Sequence, residues 1–170
     1  MERRDRKIFF LPVVIVVALF LLPVGLSVAG QQFFDQGDFL LENGSVIREC
    51  VLGYRTFGKL NKKRSNAVLF PTWFAGTSQQ LEIFIGPGKM IDSSRYFVIA
   101  VDSFGNGVSS SPSRSTVQQG KIFPDFSIGD MVRAQYRLVT EKLDISRLHA
   151  VVGISMGGCK YSTGRLFALR

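Results

Sequence analysis

The hydrophobic pattern from residue 38 onward alternates between strand-like and helix-like segments. Three short runs, 67–71, 95–102 and 148–152, are largely apolar, as is typical of parallel strands covered on both faces. Residues 130–143 instead place apolar side chains at helical spacing, which predicts an amphipathic helix. Strands that alternate with helices predict an α/β fold with a mainly parallel sheet and helices on both faces.

Local signals add detail to this outline. Residues 38–58 alternate apolar and polar positions around Asn43-Gly44, which predicts a β-hairpin, and Cys50 in that stretch is expected to be a buried thiol. Ser127 precedes the helical segment and Asp130 follows in its first turn, so we expect the serine to cap the helix. The connection 103–124 is long and rich in Gly, Ser and Pro, which is often a sign of function.

The first 29 residues differ from this pattern. A charged start is followed by residues 8–29, which contain no charge, and by small residues at 27 and 29. This order is typical of an export signal, and Pro23 favours cleavage. The apolar segment is also long enough to span a bilayer, so a retained membrane anchor is the alternative. We therefore expect an exported protein, periplasmic or secreted, or one that contacts the membrane only through residues 8–29.

Charge and cysteine content exclude several classes of function. The chain carries +8, but residues 30–158 hold 14 Lys and Arg against 11 Asp and Glu, a net +3. The single basic cluster at 59–66 resembles a solvated loop, so we expect no nucleic-acid partner. With one histidine, and with Cys50 and Cys159 far apart, the sequence implies neither a metal nor an organic cofactor.

Candidate chemistry lies in the loops that follow the predicted strands, at 72–80, 102–124 and 153–158. Gly153-Ile-Ser-Met-Gly157 fits a G-x-S-x-G turn in which Ser155 is a nucleophile held in a strained conformation. The N–H of Met156 would then stabilise an oxyanion. A merely structural Gly-Ser turn is the alternative interpretation.

A second segment, "FPTWFAGTS" at 70–78, follows an earlier strand at the place of the other oxyanion donor. The backbone N–H near Phe74 would be that donor, and Gly76 would let the chain approach the substrate closely. Alternatively, Trp73 and Phe74 pack over the edge of the sheet. Both interpretations are compatible, because the donor is a backbone group.

Several stretches together resemble one family. "LGYRTFGKLN", "NAVLFPTWFAGTS", "DMVRAQYRLVTEKL" and "ISRLHAVVGISMGG", in this order, are similar to the homoserine O-acetyltransferase-like branch of the α/β-hydrolase superfamily over residues 38–158. The resemblance implies that an acyl group passes from a small-molecule donor, through an ester on Ser155, to a hydroxyl acceptor or to water. It also implies Phe74 and Met156 as backbone oxyanion donors. Residues 102–115 depart from the glycine- and threonine-rich segment of true homoserine acetyltransferases, which leaves ester hydrolysis as an alternative.

The base that such a serine needs is missing from the predicted place. In this fold the carboxylate and the histidine follow the nucleophile, but residues 156–170 contain no Asp, Glu or His. Asp102 precedes Ser155, and His149 lies about 20 Å away along an extended strand. We therefore expect residues 30–158 to form a partial α/β-hydrolase domain, truncated after the nucleophile turn, inactive and without a burst of acyl-enzyme.

The last residues suggest how the truncation arose. Residues 159–170 lack a helical pattern, and their possible codons, shifted by one base, permit the aromatic and Trp-Ala pattern of the family. We expect 159–170 to be an out-of-frame tail after a frameshift near Gly158, which sequencing of the gene would test. The strand at 148–152 would then expose an apolar edge. A non-catalytic, membrane-anchored binding module is the alternative to a broken enzyme.

Overall fold

The computed structural model describes residues 29–158, and its main feature is a five-stranded mixed sheet. The strands are β1 (Gln32–Asp35), β2 (Phe39–Leu40), β3 (Val46–Ile47), β4 (Val51–Phe57), β5 (Ala67–Pro71), β6 (Phe97–Val101) and β7 (Ala150–Val151). The order in the main sheet is β1-β4-β6-β5-β7, and β2 pairs with β3 apart from it. Helix α1 spans Ile128–Arg137 and continues as a π-helical turn over Leu138–Lys142. Two 3₁₀ helices span Gln80–Phe84 and Gly120–Ile122.

The three predicted apolar runs form the parallel part of the sheet. β5 is parallel to both β6 and β7, and Leu69 lies opposite Ile99 on one side and Val151 on the other. β4 is antiparallel to β1 and to β6. The carboxyl ends of β5, β6 and β7 therefore meet at one edge of the sheet, where the loops 72–80, 102–124 and 153–158 begin.

The central strands are buried on both faces, as their apolar sequences predict. All five residues of β5 are buried. Alternate residues face different cores: Leu69 packs into the core that contains α1, while Val68 and Phe70 pack with Leu81 of the 3₁₀ helix Gln80–Phe84. Each fully buried Leu or Phe stabilises the fold by about 2 kcal/mol. The helical turns on both faces follow from this two-sided burial.

Helix α1 begins where the sequence predicted. The Ser127 hydroxyl accepts a hydrogen bond from the N–H of Asp130 at 3.0 Å, and the Asp130 carboxylate accepts one from the N–H of Ser127 at 2.9 Å. This reciprocal pair satisfies two of the free donors at the start of the helix. The predicted capping by Ser127 is confirmed.

The predicted hairpin forms, but it is short. Gly44 has a φ of +84° in the turn between β2 and β3, and Asn43 Oδ1 accepts a hydrogen bond from the N–H of Ser45 at 2.9 Å. The second half of the predicted alternation, 51–57, becomes β4 of the main sheet instead of extending the hairpin. Cys50 directly precedes β4 and is fully buried as a free thiol, which confirms its predicted burial.

The predictions for both chain ends fall almost wholly outside the described residues. The predicted signal or anchor, at 1–29, shares only Ala29 with residues 29–158, and the predicted out-of-frame tail at 159–170 shares none. Within 29–158, no helix has the length and apolar character needed to cross a membrane. Among the described strands, β7 pairs with β5 alone and forms an edge of the sheet.

Candidate active site

The turn after β7 holds Ser155 in an uncommon backbone conformation. Ser155 has a φ of +54°, in the left-handed region that side chains other than glycine rarely adopt, and its residue surface is exposed. The N–H of Gly157 donates to the Ile154 carbonyl at 3.0 Å, and that of Gly158 donates to the Ser155 carbonyl at 2.8 Å. A helix begins at Met156. The serine is thus presented at the start of a helix, where strained residues often have a function.

The two glycines that flank the serine are required by space. A Cβ atom on Gly153 would overlap the carbonyl group of Gly157. A Cβ atom on Gly157 would lie 2.6 Å from the carbonyl oxygen of Pro71, the last residue of β5. Both positions therefore exclude a side chain, as the G-x-S-x-G pattern predicts. The contact with Pro71 also places the Ser155 turn directly against the end of β5.

The loop that leaves β5 contains a tight turn with Phe74 at its second position. The N–H of Gly76 donates to the Trp73 carbonyl at 3.1 Å, and Ala75 has a φ of +56°, as the third residue of a type II turn requires. The Phe74 side chain is 78% exposed. Within residues 29–158, the N–H groups of Phe74 and Met156 donate no hydrogen bond. Two free backbone donors therefore lie in the loops that leave adjacent parallel strands.

Gly76 makes room for a neighbouring side chain. A Cβ atom there would lie 2.6 Å from the indole ring of Trp73, so the indole by itself accounts for a glycine at this position. Close approach of a substrate at Gly76 stays a prediction. Trp73 packs against the core on the Leu81 side of the sheet, which agrees with the alternative interpretation for this residue. Phe74 does not pack in this way, because its side chain is exposed.

A buried carboxylate joins two of the loops, and the sequence interpretation assigned it no role. Asp102 follows β6 and is 0% exposed. Its oxygens accept hydrogen bonds from the backbone and hydroxyl of Ser78, both at 2.7 Å, from Gln31 at 3.0 Å and from Asn106 at 3.1 Å. The sequence contains one signal for such a role, which is an acidic residue directly after a wholly apolar strand.

Two serines of the 102–115 segment bond to the backbone of β4. Ser109 Oγ accepts a hydrogen bond from the Gly53 N–H at 2.9 Å and donates one to the Asp102 carbonyl at 2.8 Å. Ser110 Oγ accepts one from the Val51 N–H at 2.8 Å. The hydroxyl groups of these two serines therefore fix the loop to the sheet.

His149 lies at the wrong end of the sheet to assist Ser155. Its N–H donates to the carbonyl of Ala67, the first residue of β5, at 2.7 Å, and its ring lies 4.9 Å from the Tyr96 ring. The Ser155 turn contacts Pro71 at the other end of the same strand, about 13 Å away at 3.3 Å per residue. The predicted strand position is wrong by one residue, because β7 begins at Ala150 and His149 directly precedes it. Its place at the opposite end of β5 agrees with the expectation that it does not act as the base for Ser155.

Comparison with known proteins gives the family. The α/β hydrolase fold family matches residues 66–160. The chain is 46% identical over 128 residues to an ethyl acetate hydrolase of Pseudomonas veronii, which covers 74% of this chain and 37% of that protein. It is 45% identical over 125 residues to a "probable esterase" of Corynebacterium glutamicum (71% and 36%), and 36% identical over 157 residues to a serine O-succinyltransferase of Emericella nidulans (82% and 30%).

Solved structures agree with these relatives. The acetyl esterase MekB superposes with a TM-score of 0.74 at 41% identity, over 78% of this chain and 39% of that one. A homoserine O-acetyltransferase from Bacillus anthracis gives 0.68 at 30% identity, over 79% and 42%. The chain thus spans less than half the length of these relatives. It belongs to the α/β-hydrolase superfamily, in the branch that contains the esterases and the homoserine O-acyltransferases.

Proposed function

We propose that this chain carries the nucleophile half of an enzyme that cleaves small esters through an acyl ester on Ser155. The observation that carries the proposal is that Ser155 is exposed at a φ of +54°, in a turn that packs through Gly157 against the end of β5. Hydrolysis is the favoured outcome, because the two curated relatives named as an esterase and an ethyl acetate hydrolase are 45–46% identical, whereas the curated acyltransferases are 35–39% identical.

In the proposed reaction, Ser155 Oγ attacks the carbonyl carbon of the ester while a base takes the hydroxyl proton. The carbonyl oxygen becomes an oxyanion, which the N–H groups of Met156 and Phe74 stabilise together with the partial positive charge of the helix start. The bond to the leaving oxygen then breaks, and the alcohol departs with a proton. Water attacks the acyl-serine and releases the acid, which regenerates the Ser155 hydroxyl.

The base and its carboxylate are not supplied by the described residues in this proposal. His149 lies at the opposite end of β5, and residues 156–170 contain no Asp, Glu or His. We therefore expect the 170-residue chain to show no catalytic turnover by itself. Serine hydrolases that lack a triad member still bind substrate and stabilise the oxyanion, and they accelerate the reaction about 10³-fold over the reaction in water. We therefore expect Ser155 to react slowly and once with an activated reagent, and this reaction can be measured.

The test is reaction of the full 170-residue chain with a fluorophosphonate, followed by peptide mapping. Ser155 Oγ displaces fluoride from phosphorus, and we expect this about 10³-fold faster than at a serine in an unfolded peptide of residues 149–158. Ser155→Ala should remove the label. Ser45→Ala, which deletes an exposed hydroxyl in the β2–β3 turn, should not change it. Labelling of Ser155 no faster than in the peptide would contradict the proposal and favour the non-catalytic binding module.

Transfer to a hydroxyl acceptor is the second candidate. It is favoured by the matches to a serine O-succinyltransferase and to a homoserine O-succinyltransferase of Magnetococcus marinus, the latter 39% identical over 136 residues. Imidazole added as an external base would supply the missing proton acceptor. With ethyl acetate and either serine or homoserine, an O-acetyl amino acid would identify transfer, whereas acetate alone would identify hydrolysis. Ser155→Ala provides the blank.

A further inference from the structure

The turn that carries the Phe74 N–H is attached at its beginning to the strand beside it. The N–H of Thr72 donates to the Val101 carbonyl at 3.0 Å. The Thr72 hydroxyl accepts from the N–H of Ser103 at 3.1 Å and lies 3.0 Å from its hydroxyl oxygen. Both side chains are buried. The start of the turn therefore cannot move without the end of β6.

Asp102 attaches the other end of the same turn. One carboxylate oxygen accepts from the Ser78 N–H and the other from the Ser78 hydroxyl, each at 2.7 Å. Asn106 donates both to Asp102, at 3.1 Å, and to the carbonyl of Gly76, at 2.9 Å. The Gln31 amide completes the set at 3.0 Å. Four donors thus point at two oxygens, the number of acceptor sites that a carboxylate offers.

The placement of this carboxylate is costly. Asp102 is 0% exposed, and within residues 29–158 no Lys, Arg or His forms an ion pair with it. A buried carboxylate without a cation is tolerated only when hydrogen bonds compensate for the lost hydration. The compensating donors here hold Gly76 and Ser78, which follow Phe74 by two and four positions. Since Ala75 is held at φ +56°, the attachment at both ends keeps a strained turn in one conformation.

From these contacts, we infer that Asp102 is a positioning residue for the proposed acyl transfer: it fixes the turn so that the Phe74 N–H is aimed at the developing oxyanion. This role rests on the function proposed above. Asp102 touches neither substrate nor Ser155 in this scheme, and it acts through the backbone of 76–78. A donor that is fixed before the reaction stabilises the developing charge without reorganisation. The hydrogen bonds of Asp102 should therefore affect the rate of acylation.

The test uses the full chain with Ser155→Cys, because a thiolate attacks without a separate base. Acylation by p-nitrophenyl acetate develops an oxyanion, whereas alkylation by iodoacetamide does not. Adding Asp102→Ala should slow acylation at position 155 about 10²-fold and leave alkylation within about threefold. Peptide mapping separates this thiol from Cys50 and Cys159.

The conservative variant Asp102→Asn should be acylated at least about tenfold faster than Asp102→Ala. Its amide oxygen can still accept a hydrogen bond from the Ser78 N–H, and the Gln31 amide can rotate so that its oxygen faces the new NH₂ group. Asn106→Ala, which removes the tether to Gly76 but keeps Asp102 on Ser78, should slow acylation about tenfold. Hydrogen exchange of the full chain should show faster exchange at 73–78 in both alanine variants and unchanged exchange in α1.

The outcomes separate the inference from the proposed function. If the thiol of Ser155→Cys is acylated no faster than a free thiol, the proposed function fails, and hydrogen exchange still decides whether Asp102 fixes the turn. If acylation is fast but Asp102→Ala leaves it unchanged, the inference is overturned. It is equally overturned if acylation and alkylation fall together, or if Asp102→Asn restores nothing.

Discussion

Replacing Gly157 by alanine should separate the Ser155 turn from β5. The added Cβ atom would lie 2.6 Å from the Pro71 carbonyl oxygen and 3.3 Å from that of Thr72, both backbone atoms that cannot rotate away. Ordinary contact begins at 3.4 Å, so the turn has to move by about 0.8 Å. Overpacking of this kind costs about 1–3 kcal/mol. Gly158→Ala is the matched control, because its Cβ would meet its nearest neighbour, the Gly153 oxygen, at 3.5 Å.

Urea unfolding of the full chain, followed by circular dichroism, measures the loss of stability. We expect Gly157→Ala to lower the free energy of unfolding by about 1–3 kcal/mol and Gly158→Ala by less than about 0.5 kcal/mol. Fluorophosphonate labelling measures the displacement of Ser155. We expect the labelling rate to fall at least about tenfold in Gly157→Ala and to stay unchanged in Gly158→Ala. Equal stability and equal labelling in the two variants would refute the steric argument for the turn.

Four further perturbations test separate parts of the structure. Phe74→Pro removes the N–H at a turn position that suits proline and should slow Ser155 labelling about 10²-fold, whereas Phe74→Ala keeps the N–H and should change it less than about threefold. Ser127→Ala should cost about 1 kcal/mol in urea unfolding, against less than about 0.5 for Ser45→Ala. Burial raises the pKa of Asp130, but hydrogen bonds from the Ser127 and Glu42 N–H groups and from Arg133 outweigh it and leave the pKa below its ordinary 3.8. Its stabilisation is therefore complete above about pH 4 and is lost as the pH falls further, and Asp130→Asn should flatten that part of the stability profile. Burial raises the pKa of Cys50 to about 12, so a thiol reagent at pH 8 should modify it only after urea unfolds the chain.

The parallel part of the fold was predictable because its strands are covered on both faces. β5 coincides with the predicted run 67–71, and the other two runs contain β6 and β7. The alternating segment 38–58 predicts a hairpin, whereas its second half forms β4 of this sheet, since such a segment fits a hairpin as well as a sheet edge. No pattern in the sequence predicted β1, which precedes this segment. Which strand pairs with which is decided by long-range packing that local patterns do not contain.

The candidate site was predictable where backbone sterics leave a mark on the sequence. The glycines around Ser155 mark the turn, because any side chain there would overlap a carbonyl group. Gly76 has the same kind of cause, because a Cβ atom there would overlap the Trp73 ring, but sequence spacing does not say which neighbouring atom needs the room. The role of Asp102 was hidden for a related reason: its four donors come from three separate stretches of chain.

The indole of Trp73 gives this molecule a built-in optical probe. It is the only tryptophan in the chain, and it covers Gly76 within the turn that carries the Phe74 N–H. Its emission therefore reports on a few residues beside the serine and not on an average over the fold. A shift in wavelength or quantum yield on adding a boronic acid or a phosphonate would follow occupancy of the site in real time, with no label attached.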